Sequence, residues 1–71
     1  MMPLVIMNMG ERCTIYKIGG KEETKKFLES LGFVTGGTVT VISEAGGNLI
    51  VDVKGTRIAI GRDMAAKIMV Q

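Results

Sequence analysis

The sequence predicts a mainly β fold: a small, partly open SH3-like β-barrel of about five short strands with one inserted α-helix. Three observations predict it. Leu49 to Ile60, LIVDVKGTRIAI, alternates in hydropathy on both sides of a two-residue turn at Lys54-Gly55. Further short β-rich runs recur at close spacing, with glycines between them. A single stretch, Lys21 to Leu31, carries the pattern of an amphipathic helix. Closing the sheet into a barrel limits the exposed edge that an open sheet would leave.

The hairpin specifies itself. A two-residue turn sets the register of the strands it joins. Val53 then faces Thr56, Asp52 faces Arg57, Val51 faces Ile58, Ile50 faces Ala59 and Leu49 faces Ile60. Leu49, Val51, Val53, Ile58 and Ile60 share one face, and the opposite charges of Asp52 and Arg57 share the other. A cross-strand pair of that kind contributes about 0.2–1 kcal/mol. A slip of one residue would turn the charges into the core. Lys54 is the mismatch, because this turn favours Asn or Asp before the glycine.

The other elements follow in order. Pro3 to Met9 is apolar without clean alternation and is expected to lie as an extended segment against the barrel. Gly10-Glu11 turns the chain into a strand from Cys13 to Ile18, with Ile15 inward and Tyr16 and Ile18 competing for the same side. Gly19-Gly20 ends it. In the helix Lys21 to Leu31, Glu22 and Glu23 occupy the first turn, where the helix dipole favours acids. Glu22 and Lys26 have the favourable i, i+4 order. Phe27, Leu28 and Leu31 form its apolar stripe. Gly32 suits a left-handed position after the helix, with Phe33 folding back onto Leu28. Gly36-Gly37 turns into a strand from Thr38 to Ser43, with Val39 and Val41 on one side. Glu44 to Asn48 is a loop ahead of the hairpin. Asp63 is expected to cap one helical turn over Met64 to Ala66. Ile68 to Val70 closes the sheet against the strand Cys13 to Ile18.

Composition bounds what this fold can do. The 71 residues are read as one domain, residues 1–71. A chain of this length buries only about 60% of its unfolded surface. Hydrophobic residues make up 46% but aromatics only 4%, so the core must be aliphatic. No run approaches the roughly 20 apolar residues of a membrane helix. The N-terminal MMPLVIM has no basic flank, so a signal peptide is not expected. One cysteine, Cys13, cannot form an internal disulfide and suits a reducing cytoplasm. The net charge of +2 comes from nine basic and seven acidic residues spread over every element. A surface of interleaved charges is a weaker match to nucleic acid than a basic track.

The chemistry-bearing residues are sparse. There is no His, the commonest general base. Cys13, five Glu and two Asp are scattered without CxxC, HxxxH or DxDxG spacing. GFVTGG and AGGN lack the lysine-serine ending of a phosphate loop. No enzyme, metal site or cofactor is therefore expected. Cys13 reads as a small apolar strand residue. Met7 and Met9 would place two thioethers on one face if their segment were a strand, but methionine more often fills core gaps.

Several motifs together resemble the FeoA family. They are Pro3-Leu4, Gly10-Glu11, Ile15, Ile18 with Gly19-Gly20, and Leu28-x-x-Leu31-Gly32-Phe33-x-x-Gly36. Val39-x-Val41, Leu49-Ile50-Val51 with Gly55, Arg57-Ile58-Ala59-Ile60 and Ala65-Ala66-x-Ile68-x-Val70 complete the set. The same domain is similar to the C-terminal SH3-like domain of DtxR-type iron-dependent repressors, whose DNA-binding and dimerisation domains this chain is too short to carry. Val5-Ile6-Met7-Asn8 departs from the family in being more apolar.

The resemblance implies a cytoplasmic accessory of bacterial ferrous iron uptake that binds the cytosolic part of the membrane GTPase FeoB. It implies contact with the membrane only through FeoB. A monomer or weak homo-oligomer is expected, with no nucleic acid bound. The alternatives are a nucleic-acid-binding barrel and a metal-sensing domain. The partner-binding surface is expected at the helix end, on Leu28, Leu31, Phe33 and Val34.

Overall fold

The computed structural model describes residues 1–71. Its strands are β1 (Met2–Pro3), β2 (Arg12–Ile18), β3 (Thr38–Ala45), β4 (Asn48–Val53), β5 (Thr56–Gly61) and β6 (Ile68–Val70). Helix α1 (Glu22–Ser30) lies between β2 and β3, the single turn α2 (Arg62–Ala65) follows β5, and a short 3-10 helix (Leu4–Ile6) follows β1. All pairings are antiparallel, in the order β1-β6-β2-β3-β4-β5. This is the SH3-like architecture, with one strand more than expected. No helix is long and apolar enough to cross a membrane.

The β4–β5 hairpin has the register its turn dictates, from Val53 opposite Thr56 to Leu49 opposite Ile60. Leu49, Val51, Val53 and Ile60 are buried, and Ile58 at the outer strand is half-buried. Asp52 stands opposite Arg57. Neither that pair nor Glu22 with Lys26 forms an ion pair; the ion pair of the molecule joins Arg62 to Glu44.

Two register shifts bend the sheet. One, between Ile15 and Lys17 against β6, explains how Ile15 and Ile18 both face inward although three residues apart. Tyr16 and Lys17 are both left exposed there. The other, between Val41 and Ser43 against β4, ends the strict alternation of β3. Past that bulge, β3 continues to Ala45, two residues beyond the expected end.

The N-terminal segment departs most from expectation. It is not extended throughout: Met2 and Pro3 pair with Val70 and Met69, and the chain then coils into the 3-10 helix. That turn drives Leu4 into the core, where it is 0% exposed. Met7 packs against the core while Met9 is exposed, and neither lies on a strand. The second correction is at α2. Asp63 does not cap it; Gly61 is the N-cap and Asp63 sits inside the first turn. The chain leaves β5 at Gly61 itself, one residue before the helix begins.

The core is one cluster of 15 buried residues, all apolar, drawn from the strands, α1, the loop after it, α2 and the 3-10 helix. No charged or polar residue is buried. The aliphatic content of the sequence thus ends up inside, with Phe33 as the single buried aromatic.

Candidate functional site

The end of α1 combines buried and exposed apolar side chains. α1 buries a narrow face: Leu28 fully, Thr24 and Lys25 partly. Its C-terminus is closed by two hydrogen bonds. The Gly32 N–H donates to Glu29 O at 3.0 Å, and the Phe33 N–H donates to Leu28 O at 3.1 Å. Gly32 has φ +109°, the conformation this cap needs. The cap turns Phe33 back under the helix, as its spacing from Leu28 predicts, and both side chains are 0% exposed.

The loop beyond is tied to the sheet. The Gly37 N–H donates to Val34 O at 2.9 Å, closing a tight turn. The Gly36 N–H donates to Ile15 O and the Ile15 N–H to Gly37 O, both at 2.8 Å. The helix end, its cap and β2 are thereby one hydrogen-bonded unit.

This corrects the expected partner surface. Leu28 and Phe33 are wholly inside and cannot meet a partner directly. Leu31 and Val34 remain at half-burial. Phe27, placed in the apolar stripe by its spacing, is 50% exposed, because the buried face of α1 is centred on Leu28 and Phe27 lies one helical step aside. Its i, i+4 neighbour on the same face is Leu31. The missed signal was width: a nine-residue helix over a small barrel has room to bury one large side chain fully.

The other large apolar side chains left exposed are Tyr16, at 46%, and Met1, Met2, Ile6 and Met9 of the N-terminal segment. No three or more His, Cys, Asp or Glu side chains gather in one place. Cys13 is buried in β2. Burial, and secondarily the nearby Glu11 carboxylate, raise its thiol pKa above the ordinary value. A raised thiol pKa means less thiolate at neutral pH and a poor nucleophile.

The fold and this surface define a class: a small SH3-like β-barrel with an aliphatic interior and an apolar rim beside its one substantial helix. The FeoA domain family matches residues 2–71, and the chain belongs to that family. A protein of Methanocaldococcus jannaschii assigned as Fe(2+) transport protein A is 38% identical over 71 residues, which is 100% of this chain and 87% of that one. Among solved structures, an iron uptake regulatory protein, FeoA, superposes with a TM-score of 0.90 at 34% identity, covering 99% of this chain and 93% of the other. FeoA of Stenotrophomonas maltophilia, described as an SH3 domain protein complexed with zinc, has a TM-score of 0.86 at 23% identity over 100% and 91% of the two chains. A manganese-dependent transcriptional repressor shares the fold, with a TM-score of 0.86 at 18% identity, over 96% of this chain and 39% of its own.

Proposed function

We propose that this protein is a non-enzymatic, cytoplasmic accessory of ferrous iron uptake that docks on the cytosolic part of FeoB. The observation that carries this reading is the family match over residues 2–71. The relative at 38% identity, assigned to Fe(2+) transport, supports the same process. A barrel whose charged side chains all stay outside its core suits recognition of another polypeptide.

The docking patch is Phe27, Leu31 and Val34, which keep exposure where Leu28 and Phe33 are buried. Completing the burial of a half-exposed Phe or Leu contributes on the order of 1–2 kcal/mol. The cap at Gly32 keeps the patch rigid, so little ordering entropy is lost on binding.

Co-purification of the full chain with the cytosolic part of FeoB, with and without guanine nucleotide, tests the reading. A complex is expected. Phe27→Ser and Leu31→Ser should each weaken it about tenfold, as truncation of a central apolar contact does, with thermal melting of the free chain nearly unchanged for Phe27→Ser. Absence of a complex in every nucleotide state refutes the docking. Wild-type affinity in both folded variants refutes this patch.

A further inference from the structure

The sheet has two outer strands, and only one of them is blunted. β1 is two residues long, contains Pro3 and runs directly into the 3-10 helix. A short strand bearing a proline offers little to a further strand. β5 is six residues long and pairs with β4 alone. It has no proline, and its register runs unbroken from Thr56 to Gly61.

The turn decides which backbone groups of β5 are free. Lys54 and Gly55 have φ of +53° and +76°, as a type I′ turn requires. In such a hairpin Val53 and Thr56, which flank the turn, exchange both hydrogen bonds, and every second pair onward does the same. Thr56, Ile58 and Ile60 therefore direct their N–H and C=O groups to β4. Arg57 and Ala59 direct theirs outward. Neither takes part in any turn, loop or cap hydrogen bond. Both residues are exposed. They present two donors and two acceptors at the two-residue repeat of an extended chain.

Charge narrows the occupant. Lys54 and Arg57 are the charged residues of the turn and strand, with no acid among Lys54 to Gly61. Neither has a carboxylate within 4.0 Å. A second copy would set the same cations against them. Position adds continuity. A side chain at Gly32 would meet Lys54 Cδ at 3.6 Å and Val53 Cγ1 at 3.7 Å, so the cap of α1 adjoins the turn where β5 begins.

We propose that the β5 edge receives an extended, acidic segment of the protein partner, which joins the sheet as an added strand through the backbone of Arg57 and Ala59. Strand addition of this kind takes its affinity from main-chain hydrogen bonds. The proposal rests on the docking reading above and names how the partner is held.

Residue-resolved amide exchange by NMR on the full chain, free and with the cytosolic part of FeoB, tests it. In the free chain the Arg57 and Ala59 amides exchange fast and those of Thr56, Ile58 and Ile60 slowly. In the complex the Arg57 and Ala59 amides slow by about tenfold or more. Ala59→Pro deletes a donor the fold does not use and should weaken binding by about fivefold to tenfold. Arg57→Glu, which leaves the backbone intact, should weaken it too and reduce its salt dependence. If Ala59→Pro does not fold, the wild-type exchange pattern and Arg57→Glu decide the matter. A complex in which both amides stay unprotected overturns the added strand and leaves docking standing. No complex at all overturns both. Protection that appears in the free chain with rising concentration, alongside a dimer in light scattering, assigns the edge to a second copy and overturns the acidic partner.

Discussion

Lys54 and Gly32 show opposite solutions to the same backbone demand. Lys54 stands at φ +53°, where a Cβ crowds the backbone. Lys54→Asn should raise stability by about 0.5–1 kcal/mol, seen as a higher urea midpoint with an unchanged slope. Gly32 stands at φ +109°, with only ordinary contacts awaiting an added Cβ. Gly32→Val should therefore cost about 2–3 kcal/mol through backbone strain rather than collision, on the same measurement. Cys13 gives a pH prediction. Its folded pKa is raised, so the folded chain holds its thiol proton to higher pH than the unfolded chain does. That contribution is complete below the unfolded thiol pKa and is lost as pH rises through the folded one. The melting temperature of wild type minus that of Cys13→Ala should fall as pH is raised above about 9. Alkylation of Cys13 near neutral pH should be slow unless denaturant is added.

At the scale of elements, the hairpin was legible because turn length, alternation and the Asp52–Arg57 pair all required one register. The cap of α1 was legible because Leu28, Gly32 and Phe33 carry a local motif. The strand β2 was ambiguous because a bulge breaks the two-residue period on which face assignment depends. The Glu44–Arg62 ion pair joins the end of β3 to α2, and no local pattern announces it. Both side chains are close to half-exposed. Glu44→Gln should cost at most about 1 kcal/mol, and less at high salt, because water screens such pairs. The exposure of the helix end was half legible. Leu31 and Val34 keep some exposure, whereas Leu28 and Phe33 are consumed by the core. Phe27 was hidden because helical spacing gives a face but not the width of the groove that receives it.

At the scale of the whole molecule, the N-terminal segment decides whether the barrel holds. Leu4 is fully buried, and β1 covers the outer side of β6. Leu4→Ala should cost about 2–5 kcal/mol, a large share of the stability available to so small a domain. Removal of residues 1–6 should abolish the dispersed amide spectrum of the folded chain.

The sequence by itself determined the mainly β class, the hairpin register, the helix and its cap, and the family. Each of these is written in neighbouring residues through a period, a turn or a motif. Only the tertiary structure decided that the first residues coil inward at Leu4, that Phe27 stays outside while Phe33 goes in, and that β5 keeps a free edge. Those outcomes depend on which surfaces remain uncovered after distant strands have paired, and no local pattern of residues carries that information.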